Sequence, residues 1–318
     1  MVHYRELSDP TMLAPEEAFK VLGNETRIEI LRVLGFTDAP LSFSELYDLI
    51  EYDTTANFNY HLDKLEGHFV RKTDEGYDLR QAGRSVVQAV VSGAVTDAPV
   101  VERTQIDHKC PHCGAPIEVR YHLERVEMFC TECAGTWGAA EPAYQGYLGR
   151  MMLPPAGFHG RTTEEAVRAA RTWENLRILA NAVGICPHCA APIERDITVC
   201  DDHDTTGEVC EACHQRYAVQ FHFDCTNCIY DGEGTFSVAL AANTDLLAFL
   251  TAHGLNPVSS TEITEILKIL DDYDEVVRSI DPFEAEFTFT IEGDAVTLTV
   301  DDDLTVVDVV KNRSSETI

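Results

Sequence analysis

The N-terminal part of the chain contains short amphipathic stretches, of which the clearest covers residues 54–66 (TTANFNYHLDKLE). Intervals of four and three separate its apolar side chains, which places them on one face of a helix: Phe58, Leu62 and Leu65. The opposite face carries an amide, a phenol and an ammonium group, on Asn57, Tyr60 and Lys64. Such groups suit base edges and phosphates, so one face should pack and the other should make contacts.

Further elements are predicted on both sides of this helix. Asn24 is a helix cap before ETRIEILRVL, and Ser42 with Glu45 forms a capping box that opens a third helix. Residues 69–72 and 77–79 predict two strands joined by the turn sequence Asp-Glu-Gly. Residues 80–93 (RQAGRSVVQAVVSG) predict another helix.

This region resembles the ArsR-like winged helix-turn-helix transcriptional regulators of salt-loving archaea. The tracts LGNETRIEILRVL, YHLDKLE and GHFVRKTDEGYDLRQAG carry the resemblance. It implies that the helix at residues 54–66 enters the major groove of double-stranded DNA, that the hairpin is a wing on the backbone, and that the protein is a homodimer. The expected DNA contacts are Asn57, Tyr60, His61, Lys64, Arg71 and Lys72. The alternative, that Asn57 and Tyr60 are ordinary surface residues, stays open.

The cysteines come in pairs. Cys110-Pro-His-Cys113 and Cys130-Thr-Glu-Cys133 are separated by 16 residues, the spacing of a four-cysteine zinc ribbon. Two cysteines two residues apart on a tight turn can reach one ion, and the stretch between the pairs alternates as a hairpin does. The alternative is four cysteines used as small core residues.

A second cysteine block repeats the first, because CPHCAAPIE at residues 186–194 matches CPHCGAPIE at residues 110–118. By this repeat, a second zinc site is expected from Cys186, Cys189, Cys210 and Cys213. A possible third site is formed by Cys200, His203, Cys225 and Cys228, which makes the order of pairs interleaved. The alternative is that Cys225 and Cys228 are packing residues and His203 an exposed loop residue. Iron also suits four thiolates.

The predicted fold is α+β and multidomain. A capping box at Thr162 and Glu165 opens a helix with a seam of small and apolar side chains, for which packing within the chain is favoured over a coiled coil: Ala166, Ala169, Trp173, Leu176, Ala180 and Val183. Helices are also predicted at residues 241–254 and 261–280, followed by an antiparallel β meander with one solvent-exposed face. The predicted domains are a winged helix-turn-helix (1–95), a zinc ribbon (106–140), a connecting helix (161–184), a second zinc-ribbon-like module (185–232) and C-terminal helices with the meander (233–318). Residues 96–105 are expected to be a linker and residues 144–159 irregular.

Charge changes how this pattern is interpreted. The chain has 54 acidic and 24 basic residues, a net charge of −30, and the excess is spread along its whole length. A uniform excess favours a molar-salt cytoplasm, where the Debye length falls to ~3 Å. A DNA-binding protein there relies on base contacts and shape rather than counterion release, so acidity does not exclude DNA. No apolar run has membrane length, so we expect a cytoplasmic protein without a membrane partner.

These observations favour a DNA-binding transcriptional regulator with structural zinc modules. Two alternatives remain: a zinc-dependent scaffold that binds a protein of the transcription machinery, and a thiol- or metal-responsive sensor. An enzyme is not expected, because paired cysteines close the zinc coordination and no phosphate loop or nucleophile elbow is present in the sequence.

Overall fold

The computed structural model describes residues 13–50, 52–138, 142–204, 208–256 and 271–314. The fold is α+β, with several antiparallel sheets. The chain divides between Asp97 and Ala98 into two compact units. In the described residues, no helix has the length and apolar character needed to cross a membrane.

The first unit consists of helices and one hairpin: α1 (Pro15–Leu22), α2 (Glu25–Gly35), α3 (Phe43–Ile50), α4 (Thr55–Leu65), β1 (Val70–Thr73), β2 (Gly76–Leu79) and α5 (Gln81–Val91). The predicted caps are confirmed. The Asn24 side chain accepts from the N–H of Arg27, and Ser42 and Glu45 bond each other's backbone N–H at 3.3 and 2.8 Å. The predicted apolar stripe of α4 is confirmed as well, because Phe58, Leu62 and Leu65 are fully buried in the core of this unit.

The hairpin is fixed to the chain before α3. Leu41 and Tyr77 exchange backbone hydrogen bonds of 3.0 and 2.8 Å. Gly76 has a positive φ of 137°, and a Cβ there would collide with the carbonyl of Leu41. Glycine at this turn therefore allows the hairpin to lie directly against the preceding segment.

The second unit begins with a four-stranded sheet of sequential order, followed by a long helix: β3 (Val101–Lys109), β4 (Pro116–His122), β5 (Arg125–Cys130), β6 (Tyr147–Met152) and α6 (Thr163–Ala182). The prediction of a linker at residues 96–105 was wrong for its second half, which lies in β3. Only Ile106 is buried on that strand, so pairing with β4 rather than apolar alternation defines it. Residues 147–152, expected to be irregular, form β6.

Two further sheets complete this unit: β7 (Ile193–Val199), β8 (Val219–Cys225) and β9 (Asp231–Thr235), then β10 (Asp274–Ile280), β11 (Phe283–Ile291), β12 (Asp294–Val300) and β13 (Val306–Asn312). The described residues between them in sequence include two helices, α7 (Ser237–Leu240) and α8 (Thr244–Ala252). One hydrophobic core runs through both sheets and helices, from Cys186 to Val300.

The helix predicted at residues 261–280 was wrong at its C-terminal end, and residues 257–270 lie outside the described residues. Residues 274–280 form β10, which pairs with β11 from Asp274↔Thr288 to Ile280↔Phe283. The apolar spacing that suggested a helix also fits a strand whose exposure alternates. The local hairpin with β11 decides between the two, so the meander gains β10 as a further strand and has four strands in the described residues.

Candidate metal centres and the exposed face of helix α4

Cysteine and histidine side chains meet in three clusters in the described part of the chain, and the ligand atoms of each cluster lie within 4.8 Å of one another. We name them cluster 1 (Cys110, Cys113, Cys130 and Cys133), cluster 2 (Cys186, Cys189, Cys225 and Cys228) and cluster 3 (Cys200, His203, Cys210 and Cys213). All twelve predicted ligands are therefore brought together. Cluster 1 has the predicted composition.

The sulfur separations fit four thiolates around one ion. In cluster 1 the Sγ atoms of Cys110 and Cys133 are 3.6 Å apart, and those of Cys113 and Cys130 are 3.4 Å apart. In cluster 2 the corresponding separations are 3.7 and 3.4 Å. A disulfide needs about 2 Å, whereas a tetrahedron with Zn–S bonds of about 2.3 Å places its sulfurs about 3.8 Å apart.

Four of the Cys-x-x-Cys pairs share one backbone turn. The N–H of the first cysteine bonds the carbonyl five residues later, at 2.8 to 2.9 Å, at Cys110, Cys186, Cys210 and Cys225. In three of them the residue after the second cysteine has a positive φ: Gly114, Ala190 and His214. The turn directs both thiols to the same side, as one shared ion requires.

The predicted partners of the second cysteine block were wrong. Cys186 and Cys189 meet Cys225 and Cys228 instead of Cys210 and Cys213, so the pairs are nested instead of interleaved. The reason is strand pairing. β7 follows the first pair and β8 ends at the last, and their register sets Ile193 opposite Cys225. The two inner pairs lie in the loop between β7 and β8, where they form cluster 3.

Clusters 1 and 2 are equivalent positions of an internal repeat. In the first sheet Ile117 pairs with Cys130, as Ile193 pairs with Cys225 in the second. Thr131 and Thr226 each donate from both N–H and hydroxyl to the carbonyl of Pro116 or Pro192, at 3.0 to 3.2 Å. The sequence signal for this pairing is the threonine shared by Cys-Thr-Glu-Cys and Cys-Thr-Asn-Cys, which Cys-Glu-Ala-Cys lacks.

In each cluster backbone N–H groups help to lower the pKa of one thiol: Cys130 in cluster 1, Cys225 in cluster 2 and Cys210 in cluster 3. Burial alone would raise the pKa of Cys225, but the N–H groups of Cys228 and Asn227 and the neighbouring thiols lower this pKa to about 6. The N–H of Asp204, with others, lowers the pKa of Cys210 to about 7. Burial raises the pKa of Cys110 to about 11 and that of Cys228 to about 12. A cation supplies the charge that lets all the thiols of a cluster ionise together.

His203 is oriented for coordination through Nδ1. This atom lies 3.5 Å from the Cys213 sulfur, while Nε2 lies 3.2 Å from the carbonyl oxygen of Arg216. A carbonyl accepts, so Nε2 carries the proton and Nδ1 keeps its lone pair for the cluster. This is the arrangement expected of a metal-binding histidine.

Asp301, Asp302 and Asp303 also lie within 4.8 Å of one another. The Asp301 carboxylate accepts from the N–H groups of Asp303 and Thr305 at 3.2 and 3.0 Å. One oxygen of Asp301, Oδ1, therefore closes the turn between β12 and β13, and the group is assigned no ion.

Three predicted contact residues lie on the exposed face of α4. Tyr60 is 52% exposed, and the Lys64 ammonium lies 5.5 Å from the centre of its ring. Asn57 is exposed, and its amide donates to the Tyr52 hydroxyl at 3.1 Å. Tyr52 was missed in the sequence analysis because nothing in its position before the helix marks it as a partner of Asn57.

His61 is not on this face, so its prediction as a contact residue was wrong. Its ring is 9% exposed, with Nε2 3.2 Å from the Tyr52 hydroxyl. Burial, together with the charge of Arg27, lowers the pKa of His61. It lies one position before Leu62 and shares the packed side of the helix.

The two hairpin residues are exposed but differ in their partners. The Nε and Nη2 atoms of Arg71 donate to one carboxylate oxygen of Asp78 at 3.1 and 2.5 Å. Arg84 contacts the other oxygen of Asp78 at 3.2 Å. The Lys72 ammonium lies 5.4 Å from the centre of the Tyr77 ring. Of these two hairpin cations, Arg71 is paired with a carboxylate. Lys72 is in none of the ion pairs found among the described residues.

Comparisons with known proteins divide the chain at the same place. The family described as "Domain of unknown function (DUF7351)" matches residues 107–306. The chain belongs to this family. The family described as "Domain of unknown function (DUF7347)" matches residues 15–90. No curated protein and no solved structure matches the chain.

All three clusters fall inside the DUF7351 match, and α4 with its hairpin falls inside the DUF7347 match. The cysteine clusters and the exposed polar helix face therefore lie in different family matches as well as in different units.

Proposed function

We propose that this protein is a DNA-binding transcriptional regulator of the ArsR-like winged helix-turn-helix type, with a second unit stabilised by zinc. One observation carries the proposal: α4 buries its apolar stripe completely and exposes Asn57, Tyr60 and Lys64, and the following hairpin exposes Arg71 and Lys72. In this proposal α4 enters the major groove and Lys72 contacts a phosphate. His61 is excluded, and Arg71 contributes less because Asp78 neutralises it.

Zinc is the metal that this proposal assigns to the clusters. The sulfur separations suit tetrahedral thiolate coordination, and each cluster supplies four protein ligands, which leaves no position for water. Clusters 1 and 2 are then zinc ribbons and cluster 3 a Cys₃His site inserted into the second ribbon. In this proposal the zinc ions stabilise the fold of the second unit and take no part in catalysis.

DNA binding can be measured as a gel shift with the upstream DNA of the protein's own gene in molar KCl. We expect Tyr60→Ala to weaken binding about fivefold or more, since a good base contact is worth ~1–3 kcal/mol. We expect Lys72→Ala to weaken binding to all sequences alike. Arg71→Ala should have a smaller effect than Lys72→Ala.

Phe36→Ala is the matched control, because this aromatic residue is 69% exposed in the same unit, at the end of α2. It should bind DNA as the wild type does. An unshifted wild-type band, or equal affinity of Tyr60→Ala and wild type, contradicts the proposal. In that case retention of a protein partner would favour the scaffold function.

A further inference from the structure

Helix α6 has an inverted amphipathic pattern between residues 169 and 183. Its outward side carries Trp173 (49% exposed), Leu176 (50%) and, directly after the helix, Val183 (61%). A helix on the surface of a monomer normally directs such side chains to the core and its charges to water.

The polar residues of the same helix point to the protein interior. Asn175 and Asn181 are 6% and 1% exposed, and Asn181 donates to the Tyr230 hydroxyl at 2.7 Å. Glu174 accepts from the N–H of Met152 at 3.1 Å, and the Arg177 guanidinium lies 5.1 Å from the centre of the Tyr230 ring. The side chains of Glu174 and Arg177 are only 18% and 12% exposed.

The outward face is therefore without charge over this length of the helix. Its members, which we name the α6 stripe, are Trp173, Leu176, Ala180 and Val183. We propose that the α6 stripe is the contact surface of a homodimer and binds the same stripe of a second copy. This inference concerns the second unit and does not rest on DNA binding.

The spacing of the stripe makes it complementary to itself. In an antiparallel pair whose two-fold axis crosses the stripe at the level of residue 178, Trp173 lies opposite the partner's Val183, and Leu176 lies opposite the partner's Ala180. A large side chain then meets a small one at every position, as interdigitating helix faces require. The same stripe on both copies is sufficient, so no other protein is needed to cover it.

Charge favours a second copy at this surface over other surfaces. Each chain carries a net charge of −30, so two copies repel wherever their acidic surfaces approach. The stripe brings no carboxylates together, because Glu174 is turned inward and Glu165 lies two turns before Trp173. Four partly exposed side chains supply less than the ~800 Å² per partner of a standard interface, so the dimer is weak and concentration-dependent.

Sedimentation velocity of the full-length, zinc-loaded protein in molar KCl tests the inference over a series of concentrations. We expect the wild type to pass from monomer to dimer as concentration rises. Leu176→Glu should raise the dissociation constant at least about tenfold, because it places a carboxylate at the centre of the interface. Val307→Glu is the matched control, since Val307 is 55% exposed on β13. It should dimerise as the wild type does.

A size exchange tests the proposed register without introducing charge. Leu176→Ala should weaken the dimer, and adding Ala180→Leu to it should restore the dimer, because each leucine again meets an alanine. Zinc content and circular dichroism show whether each variant is folded. A wild type that stays monomeric at every concentration overturns the inference. So does a Leu176→Glu variant that dimerises as the wild type does, which would place the contact elsewhere, including in the first unit.

Discussion

Glu275 is a buried carboxyl group that joins two sheets of the second unit. It lies on β10 and accepts a hydrogen bond from the N–H of Ala218, next to the start of β8. Burial raises the pKa of Glu275 to about 7, although the N–H groups of Ala218 and Val219 oppose this shift. The Ala218 carbonyl in turn accepts from the N–H of Cys200. Ala218 therefore connects the Glu275 carboxyl group to cluster 3 through two hydrogen bonds.

The raised pKa predicts a stability that falls as pH rises. Below the unfolded-state pKa of about 4.5 the group is protonated in both states, and between that value and about 7 only the unfolded state ionises. Glu275→Gln removes this loss, which is no more than about 3 kcal/mol. The midpoint temperature of thermal unfolding should therefore fall more steeply between about pH 5 and about pH 8 for the wild type than for Glu275→Gln.

Glu284→Gln provides the comparison, because Glu284 is exposed near the start of β11. It should keep the wild-type dependence on pH. Parallel curves for wild type and Glu275→Gln would show that the carboxyl group is ionised in the folded protein at neutral pH.

Elements with local signals could be predicted from the sequence. Three helix starts were correct because each cap needs only residues three positions apart, as at Asn24, Ser42 and Thr162. The buried stripe of α4 and the turn of the first hairpin depend on equally local spacing. The prediction that the α6 seam packs within the chain was wrong for Trp173, Leu176 and Val183, which are about half exposed. An apolar seam by itself does not say which side of a helix meets the core.

The pairing of distant cysteine pairs could not be predicted from spacing. Any two pairs can form a four-ligand site. A longer loop between them raises the free-energy cost of closing the site only slightly, since closure entropy rises slowly with length. The insertion that carries cluster 3 separates Cys189 from Cys225, while the register of β7 and β8 brings them together. Strand pairing, which the sequence signals weakly here, therefore decides the ligand sets.

Double substitutions distinguish nested from interleaved pairing. With zinc in all three clusters, as proposed, Cys186→Ser with Cys225→Ser alters cluster 2 alone, so the protein should lose one of three ions. Cys186→Ser with Cys210→Ser alters clusters 2 and 3, so it should lose two. Metal analysis of the purified proteins counts the ions directly. The reverse result, with two ions lost in the first variant and one in the second, would restore the interleaved pairing.

At the scale of the whole molecule, the candidate metal clusters of the described residues all lie in the second unit. All eleven cysteines lie after residue 109, whereas the core of the first unit is built from apolar side chains of α2 to α5 and the hairpin. A structural zinc site contributes an apparent ~10–16 kcal/mol, which is comparable with the entire stability of a domain, ~5–15 kcal/mol. The second unit should therefore depend on its ions, and the first should not.

Chelation is expected to unfold the second unit and to leave the first unit folded. A strong zinc chelator in molar KCl should expose residues 98–318 to protease while a fragment that ends near Asp97 persists, identified by its mass. Far-ultraviolet circular dichroism should keep the helical signal of the first unit and lose the β signal of the second. The chelator saturated with zinc beforehand should change neither. Loss of both units at the same chelator concentration would show that the first depends on the second. A second unit that resists the chelator would show that this unit does not need metal in its three clusters to stay folded.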